Sequence, residues 1–427
     1  MKILILSMSP LRMDNTVGNT YANIFDNMDN VEFASIYCKS GKPNVNFVNK
    51  YFRITEAELI KNLKNKNYRV GKVVKKEDDT EQILEKRTYY IARMFRFKIF
   101  FWLRDLIWKV GRWKSEALDK FIEEFKPDVI FAPLDNNHTL NEVIQYVHRK
   151  AQCKLAVYAW DDIYTLNQFS VSPFFWIDRF YQRGAIKNTV KESDKVYVIS
   201  ELQKQVYDKC FDIDSDILFK GYDFEDRPQY EMNKTIKILF TGNLGYKRWE
   251  QLIKLAMVLN KINADGIKAQ LYIYSKTALR KSIINQLNLE KSSFFMGAVS
   301  HTDAMRLQEE ADILLHVESF VKKYNKLVRL SFSTKLVDYF KKAKCIFAIG
   351  PKDVASIDYL VKNDAAVAAV NSKEIETKLV ELINNKHMIH EYAYKSWECG
   401  KKNHQINEIQ NKLYRDLEGI VNENSTN

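Results

Sequence analysis

The sequence has few cysteines, and none of them is spaced for a zinc site or a disulfide framework. The five cysteines are odd in number and widely separated, without a Cys-x-x-Cys pair. We therefore predict a protein of a reducing cytosol. The chain also lacks an uncharged run of about 18 or more apolar residues, so we predict no membrane-spanning helix. The apolar run that follows Met1 is too short for a secretory signal.

Neither disorder nor a small single domain fits the composition. The chain has 427 residues, of which 46% are hydrophobic and 13% aromatic. This length is enough for two domains, each with its own core. The 66 lysines and arginines exceed the 54 acidic residues, which gives a net charge of +12. Such an excess indicates an anionic partner: a nucleic acid, a membrane surface or a phosphorylated ligand.

The first half alternates buried strands with helical segments, which predicts a parallel α/β sheet. Residues 2–10 are the first strand, and a loop with Gly18 follows it. Loops at this edge of an open α/β sheet bind ligands, although the loop is not a Gly-x-Gly-x-x-Gly motif. Gly18 could therefore approach a ligand, or it could be a plain turn glycine. Residues 40–86 are polar, and we predict a solvated loop or lid there.

A later strand, residues 155–160, delivers Asp161 and Asp162 at its carboxyl end. Two acids at this edge are the best catalytic candidates of the first half. The alternative is that one of them caps the segment that follows. Asp212, Asp214 and Asp216 have Asp-x-Asp spacing, but no histidine or glutamate completes a metal site. We interpret these three as turn and cap residues and predict no metal site.

An aromatic and basic stretch covers residues 93–114. Seven lysines and arginines flank or oppose an apolar stripe. The residues of the stripe fall at helical spacing: Phe95, Ile99, Trp102, Leu103, Leu106, Val110 and Trp113. This pattern is typical of a helix that lies on an anionic membrane surface. A core helix with a basic outer face is the alternative. Nucleic acid is disfavoured, because the apolar stripe suits lipid better than base stacking.

After a polar linker near residues 224–234, a second α/β unit begins with a strand at Ile236. The strand leads into Gly242, Gly245, Lys247 and Arg248, then a helix. Glycines let a backbone approach a phosphate, and the two bases supply positive charge. A strand-to-helix turn with surface bases is the alternative.

Residues 329–351 read as a loop, a short helix and a buried strand. Ser333 is a good N-cap residue, and a helix start favours anions. Lys335 adds a charge in the first turn, and Thr334 shares a face with Asp338. One turn spans about 5.4 Å, which matches the distance from a diphosphate to a ribose diol. We therefore predict a phosphate at the helix start and a ribose at Asp338, with a capped helix and a surface acid as the alternative.

The stretch Ser-Thr-Lys-Leu-Val-Asp-Tyr, followed by the Cys-Ile-Phe-Ala-Ile-Gly-Pro strand, resembles the nucleotide-sugar motif of GT-B glycosyltransferases. It is most similar to the family 4 type of capsule and surface-polysaccharide assembly. The resemblance implies two Rossmann-like parallel-sheet domains that face a cleft, with a last helix that crosses back. The implied domains are residues 1–224 with 400–427, which bind the acceptor, and 235–399, which bind the nucleotide-sugar.

The resemblance also implies roles for residues. In the family an acidic residue, usually Glu, binds ribose where this chain has Asp338, and a second Glu stands where it has Leu330. Glu318 could replace that missing sugar contact. Gly18 matches a glycine near the donor phosphates, Lys247 and Arg248 match bases that reach the diphosphate, and Gly297 lies where the nucleotide base is held.

We therefore expect a cytoplasmic enzyme, peripheral on the inner face of the cell membrane through residues 93–114. It would move a sugar from a nucleotide-sugar, with a UDP-sugar favoured, to a saccharide or a lipid-linked saccharide. The resemblance implies retention of anomeric configuration and no required cofactor or metal. The alternatives are a sugar-nucleotide epimerase of the same fold and a catalytically decayed membrane-binding module.

Overall fold

A computed structural model describes residues 1–74, 98–168, 170–229 and 231–423. The chain forms two compact units. The first contains Met1–Leu166, Ser170–Leu218 and Glu408–Asn427, and the second contains Phe219–Asn407 with a short piece at Asn167–Phe169. The chain thus passes from one unit to the other after Leu218, a few residues before the predicted boundary at 224.

The first unit is built on an eight-stranded sheet of order β4-β3-β2-β1-β5-β6-β7-β8. Its pairs are parallel except β3 with β4, which is antiparallel. The central strands are continuous apolar runs buried on both faces, as parallel sheets require. The strands are β1 (Lys2–Ser7), β2 (Glu32–Tyr37), β3 (Lys50–Arg53), β4 (Lys72–Val74), β5 (Val129–Pro133), β6 (Lys154–Ala159), β7 (Lys195–Val198) and β8 (Asp216–Ile217).

The helices of this unit connect and cover the strands. Several begin at a side-chain cap: Ser115, Asn137 and Ser200 each accept a hydrogen bond from a backbone N–H of the first turn. The helices are α1 (Thr16–Phe25), α2 (Glu56–Lys64), α3 (Lys98–Val110), α4 (Glu116–Phe125), α5 (His138–Ala151), α6 (Pro173–Glu192) and α7 (Glu201–Phe211).

Much of the segment predicted as a solvated loop is folded, so that prediction was wrong for residues 50–74. Strand β3 joins the sheet beside β2, and Tyr51 and Phe52 are fully buried. Helix α2 begins at a capping box: the Thr55 side chain accepts from the backbone N–H of Glu58, and the Glu58 side chain accepts from the backbone N–H of Thr55. Strands β3 and β4 are too short to show a clear alternation of apolar and polar residues, so the sequence did not indicate them. The rest of that prediction, residues 75–86, lies outside the described residues.

The second unit has a fully parallel six-stranded sheet of order β11-β10-β9-β12-β13-β14. The strands are β9 (Ile236–Thr241), β10 (Ala269–Tyr274), β11 (Ser293–Gly297), β12 (Ile313–Val317), β13 (Cys345–Ile349) and β14 (Val367–Ala369). The helices are α8 (Trp249–Ile262), α9 (Lys281–Leu287), α10 (His301–Glu310), α11 (Lys322–Val328), α12 (Lys335–Lys341), α13 (Ala355–Lys362), α14 (Glu374–Asn384) and α15 (Lys386–Asn403).

The last helix, α16 (Ile406–Asn422), belongs to the first unit over most of its length. The Gln410 amide donates to the carbonyls of Asn23 (3.4 Å) and Asp26 (2.9 Å) at the end of α1. Leu413, Leu417 and Ile420 form its buried stripe at helical spacing. The chain therefore returns to the unit in which it began, after completing the second.

Helix α3 contains most of the described part of the predicted membrane stripe, and Trp113 follows the end of the helix. Phe95 and the side chain of Ile99 lie outside the described residues. The stripe divides between core and surface. Trp113 is buried, whereas Leu103, Leu106 and Val110 are about half exposed. Among the helices of the described residues, none is long and apolar enough to cross a membrane.

Candidate functional site

A buried ion pair lies at the carboxyl ends of β9 and β12 in the second unit. Arg248, which directly precedes α8, donates through Nε and Nη2 to both carboxylate oxygens of Glu318, at 2.8–3.0 Å. The side chains are 15% and 8% exposed. Burial raises the pKa of the Glu318 carboxyl, and the Arg248 charge opposes that shift. The pair joins two residues that the sequence proposed separately as ligand contacts.

His316 lies two residues before Glu318, on the same face of β12. Its Nε2 is 3.9 Å from a Glu318 oxygen and has no hydrogen-bond partner among the described residues. Burial, with the nearby charges of Arg248 and Lys335, lowers the pKa of His316 to about 3. The imidazole is therefore neutral at physiological pH, and it adds a polar atom without adding charge. No motif in the sequence marks this histidine as a site residue.

Lys335, the first residue of α12, reaches the end of β9. Its Nζ donates to the carbonyl of Thr241 at 3.0 Å. Gly242 makes room for it, because a Cβ at this position would lie 3.0 Å from that Nζ. Burial and the charge of Arg248 lower the pKa of Lys335. The carboxylate that opposes this shift is Asp338, not Glu318. Arg248 and Lys335 thus place two cations at the end of the sheet, where open α/β folds bind ligands.

The start of α12 differs from the sequence-based prediction. Thr334 stands at the N-cap, already in helical conformation, and makes no side-chain capping bond. Ser333 precedes the N-cap, and its carbonyl accepts a hydrogen bond from the backbone N–H of Leu336 at 3.0 Å. Its own N–H donates to Ser356 Oγ at 2.9 Å. Ser333 is therefore not the N-cap, because the backbone enters the helix one residue later than predicted.

Asp338 has two partners that the sequence did not reveal. Its Oδ1 accepts from Lys220 Nζ at 3.1 Å and from Tyr222 Oη at 2.7 Å. His404 fixes the segment of these partners: Nδ1 lies 3.0 Å from the Lys220 carbonyl, and Nε2 lies 2.9 Å from Tyr359 Oη. The predicted ribose contact is therefore a held carboxylate within the second unit.

The glycine-bearing loop after β9 has a strained backbone. Tyr246 and Lys247 have φ of 57° and 62°, in the left-handed region that non-glycine residues seldom adopt. Lys247 is half exposed and pairs with Glu250 at 3.0 Å, so its cation lies at the surface. A Cβ at Gly245 would lie 2.9 Å from Asn243 Oδ1. Of the two predicted bases, Arg248 is the one that points into the buried cluster.

Two further positions of the predicted donor site, Gly297 and Leu330, lie in this unit. Gly297 ends β11 with φ of 77°, and no atom lies within 4 Å of the position of a Cβ. Glycine is therefore required there by conformation and not by crowding. Leu330, where the family pattern has an acid, is fully buried.

In the first unit the two candidate acids have different environments. Asp162 is buried, and its Oδ1 accepts from the backbone N–H groups of Tyr164 (3.3 Å) and Thr165 (3.0 Å). Its carboxylate therefore organises the loop after β6, as the capping alternative holds. Asp161 is exposed, and its backbone carbonyl accepts from Gln203 and Tyr207. Asp161 thus presents its side chain at the carboxyl edge of the sheet from a fixed backbone.

Gly18 lies within the first turn of α1 and is buried. Its N–H donates to Asn15 Oδ1 at 2.7 Å, which is the N-cap bond of this helix. A Cβ would lie 2.1 Å from the backbone nitrogen of Arg12. The position needs glycine because the preceding loop folds tightly over the helix.

The three spaced aspartates lie at the end of α7 and in β8. Asp212 is the left-handed C-cap of the helix, while Asp214 and Asp216 pair with lysines. Nowhere in the described ranges do three His, Cys, Asp or Glu side chains cluster so that they could hold a metal ion.

The buried histidines predict that the protein loses stability in mild acid. Burial lowers the pKa of His404 to about 4, and that of His316 to about 3. In the unfolded chain both titrate near 6.5, so between about pH 6.5 and 4 the unfolded state binds protons that the fold does not. The free energy of unfolding should fall by about 2 kcal/mol for each histidine from pH 6.5 to 5.

Urea titrations at pH 7.5 and 5 measure this loss. The variant His316→Gln should lose less stability between the two pH values than the wild type. The exposed His387 provides the control, and His387→Gln should behave as the wild type. An equal loss in all three proteins would contradict a neutral His316 in the fold.

No protein-family model and no curated protein matches the sequence. Solved structures do. HepE of Anabaena in complex with UDP matches with a TM-score of 0.63 and 12% identity, over 98% of this chain and 100% of that chain. The α,α-trehalose-phosphate synthase (UDP-forming) of Burkholderia vietnamiensis matches with a TM-score of 0.62 and 8% identity, over 98% and 99%.

The chain has the GT-B fold. TarM of S. aureus shares it over 70% of this chain and 58% of that chain, with a TM-score of 0.53 and 16% identity. At such low identities the likeness extends to the fold alone. The α/β class with two parallel-sheet domains, expected from the sequence, is confirmed.

Proposed function

We propose that the protein is a glycosyltransferase that takes its donor sugar from a nucleotide-sugar, with UDP as the favoured nucleotide. The observation that carries this proposal is the cationic cluster of Arg248 and Lys335 at the carboxyl ends of β9 and β12. Arg248 is largely buried against Glu318. Lys335 is exposed, and the carboxylate that acts on it is Asp338, which also pairs with Lys220. Three cations therefore face two carboxylates, so a net positive charge remains to attract a diphosphate. HepE of the same fold is bound to UDP, and in another crystal to UDP-glucose.

In this proposal the second unit binds the donor. Lys335 and Nη1 of Arg248 meet the diphosphate, since Nε and Nη2 of Arg248 already bind Glu318. The carboxylate of Asp338, held by Lys220 and Tyr222, meets the ribose hydroxyls. The developing charge on the leaving phosphate is stabilised by these cations, so no metal is required.

The first unit supplies the acceptor site, with Asp161 as its acidic group. We propose a saccharide or lipid-linked saccharide acceptor in the synthesis of a surface polysaccharide, on the cytoplasmic face of the cell membrane. Transfer would retain the anomeric configuration, which needs no protein nucleophile. The exposed position of Asp161 at the carboxyl edge of the sheet supports its role.

Nucleotide binding tests the proposal. UDP is expected to raise the melting temperature in EDTA as well as in magnesium, more than ADP or GDP does. Calorimetry should show that Asp338→Asn weakens UDP about 10–100-fold, because a carboxylate bound to a hydroxyl contributes about 1.5–3 kcal/mol. With 2′-deoxy-UDP the variant and the wild type should differ much less.

The exposed acid Asp265 offers a matched control in the same unit, and Asp265→Asn should bind UDP as the wild type does. Absence of any nucleotide binding by the wild-type protein would overturn the proposed function. An equal loss for UDP and 2′-deoxy-UDP in Asp338→Asn would overturn the ribose contact alone.

A further inference from the structure

Two helices of the first unit expose large apolar side chains. On α3 these are Leu103, Leu106 and Val110, spaced three and four residues apart, so they form one ridge. On α6 they are Phe174, Ile177, Phe180 and Tyr181, again on one face. Val171, just before α6, is 89% exposed. A soluble surface seldom groups so many apolar side chains unless they meet a partner.

The two ridges belong to one surface. The Trp102 ring of α3 packs edge-on against Phe174 of α6, with ring centroids 5.8 Å apart. The Trp102 indole N–H also lies 3.4 Å from Asp178 Oδ1. We call the ridge of α3, the exposed face of α6 and Val171 the apolar platform. The α6 half of the platform lies outside the predicted membrane segment, which ends at residue 114.

The charges around the apolar platform favour an anionic partner. Exposed bases lie on both helices and just after α3: Lys109 is on α3, Lys187 is on α6, and Arg112 and Lys114 follow the end of α3. The acids within it are engaged inward. Asp105 accepts from Arg104 and from Thr139 Oγ1, while Asp178 faces Trp102. An apolar face with bases at its edge and its acids turned inward matches a bilayer with anionic headgroups.

The opposite side of α6 holds the loop that follows Asp161. Arg179 donates through Nη2 to the Thr165 carbonyl at 2.6 Å. Arg183 donates to the Tyr164 carbonyl, and its guanidinium lies 3.9 Å from the centre of the Tyr164 ring. Helix α6 therefore connects the apolar platform directly to the backbone of the loop that contains the candidate acid.

We propose that the apolar platform of α3 and α6 docks the protein on an anionic lipid bilayer, and that α6 thereby sets the Asp161 loop at the membrane surface. The placement of the Asp161 loop at the membrane rests on the proposed function, because it assigns the acceptor to a lipid-linked saccharide. The docking itself does not, and it can be tested without any sugar donor.

Flotation with vesicles of phosphatidylcholine, with and without 30% phosphatidylglycerol, tests the docking. The wild type should float with the anionic vesicles and lose part of its binding at high salt, since the charged contribution is screened and the apolar one is not. The variant Ile177→Asp should bind about tenfold more weakly or worse. Met257→Asp is the matched control, because Met257 is 57% exposed and Ile177 58%, and Met257 lies in the second unit.

A charge variant, Lys109→Glu with Lys187→Glu, tests the docking independently if Ile177→Asp folds poorly. It should remove the preference for anionic vesicles while its melting temperature stays that of the wild type. The proposal is overturned if the wild type does not float at low salt, or if Ile177→Asp floats as well as Met257→Asp. It is equally overturned if the platform proves to join two copies, seen as a dimer that Ile177→Asp dissociates.

UDP binding separates this proposal from the proposed function. If Ile177→Asp loses vesicles but keeps UDP affinity, the docking holds and the donor site is independent. If the wild type floats but binds no nucleotide, the docking still holds while the glycosyltransferase proposal fails.

Discussion

Lys335→Met is expected to reduce affinity for UDP about 100-fold while leaving the fold as stable as before. The side chain of Lys335 is partly exposed, but its ammonium donates to the Thr241 carbonyl. Partial burial and the nearby charge of Arg248 lower the pKa of Lys335 in the ligand-free protein. Bringing in a diphosphate relieves that repulsion, so the cation contributes mainly when the ligand is bound. A charge-assisted bond to phosphate is worth about 1.5–3 kcal/mol. Methionine has similar length and no charge to bury.

Two measurements belong together in this prediction. Calorimetry with UDP gives the affinity, and urea unfolding without ligand gives the stability. Lys247→Met is the matched control, because Lys247 is half exposed and pairs with Glu250 on the surface. It should change UDP affinity by no more than about threefold, as surface ion pairs contribute little. Equal losses in the two variants would mean that the Lys335 position has no special role.

The sequence could predict the alternation of strands and helices because the strands of both sheets are buried apolar runs between polar turns. It could also place Arg248 in the loop between a strand and a helix, and Lys335 in the first turn of a helix. Those are local signals within about ten residues, which a single sequence contains.

Pairings across long stretches of chain could not be predicted. Lys220 and Tyr222 bind Asp338 although more than 100 residues of chain separate them from it. Neither belongs to a recognisable motif. His316 lies within a buried strand, and the residues around it in the sequence do not indicate which charges lie close to it in the fold. Strand β3 was missed because four residues among polar neighbours show no period. Each failure concerns a contact that depends on the folded arrangement of distant segments.

The ion pair of Arg248 and Glu318 supplies the other large expected effect. Glu318→Leu alone should lower the free energy of unfolding by about 3–5 kcal/mol, because it leaves the Arg248 cation buried without its carboxylate. The double variant Arg248→Met with Glu318→Leu should recover most of that loss, since no unpaired charge then remains. Gly350 shows how closely the structure fits the glutamate: a Cβ there would lie 2.8 Å from Glu318 Cβ.

Unfolding in urea for the wild type, the two single variants and the double variant gives the coupling energy of the pair. A matched surface pair, Lys261 with Glu376, is 3.1 Å apart and more than half exposed. The same cycle on that pair should give less than about 1 kcal/mol. If Glu318→Leu proves as mild as Glu376→Leu, the carboxylate is not what holds Arg248 in place. Glu318 would then be left for a contact with the donor sugar, as the sequence first suggested.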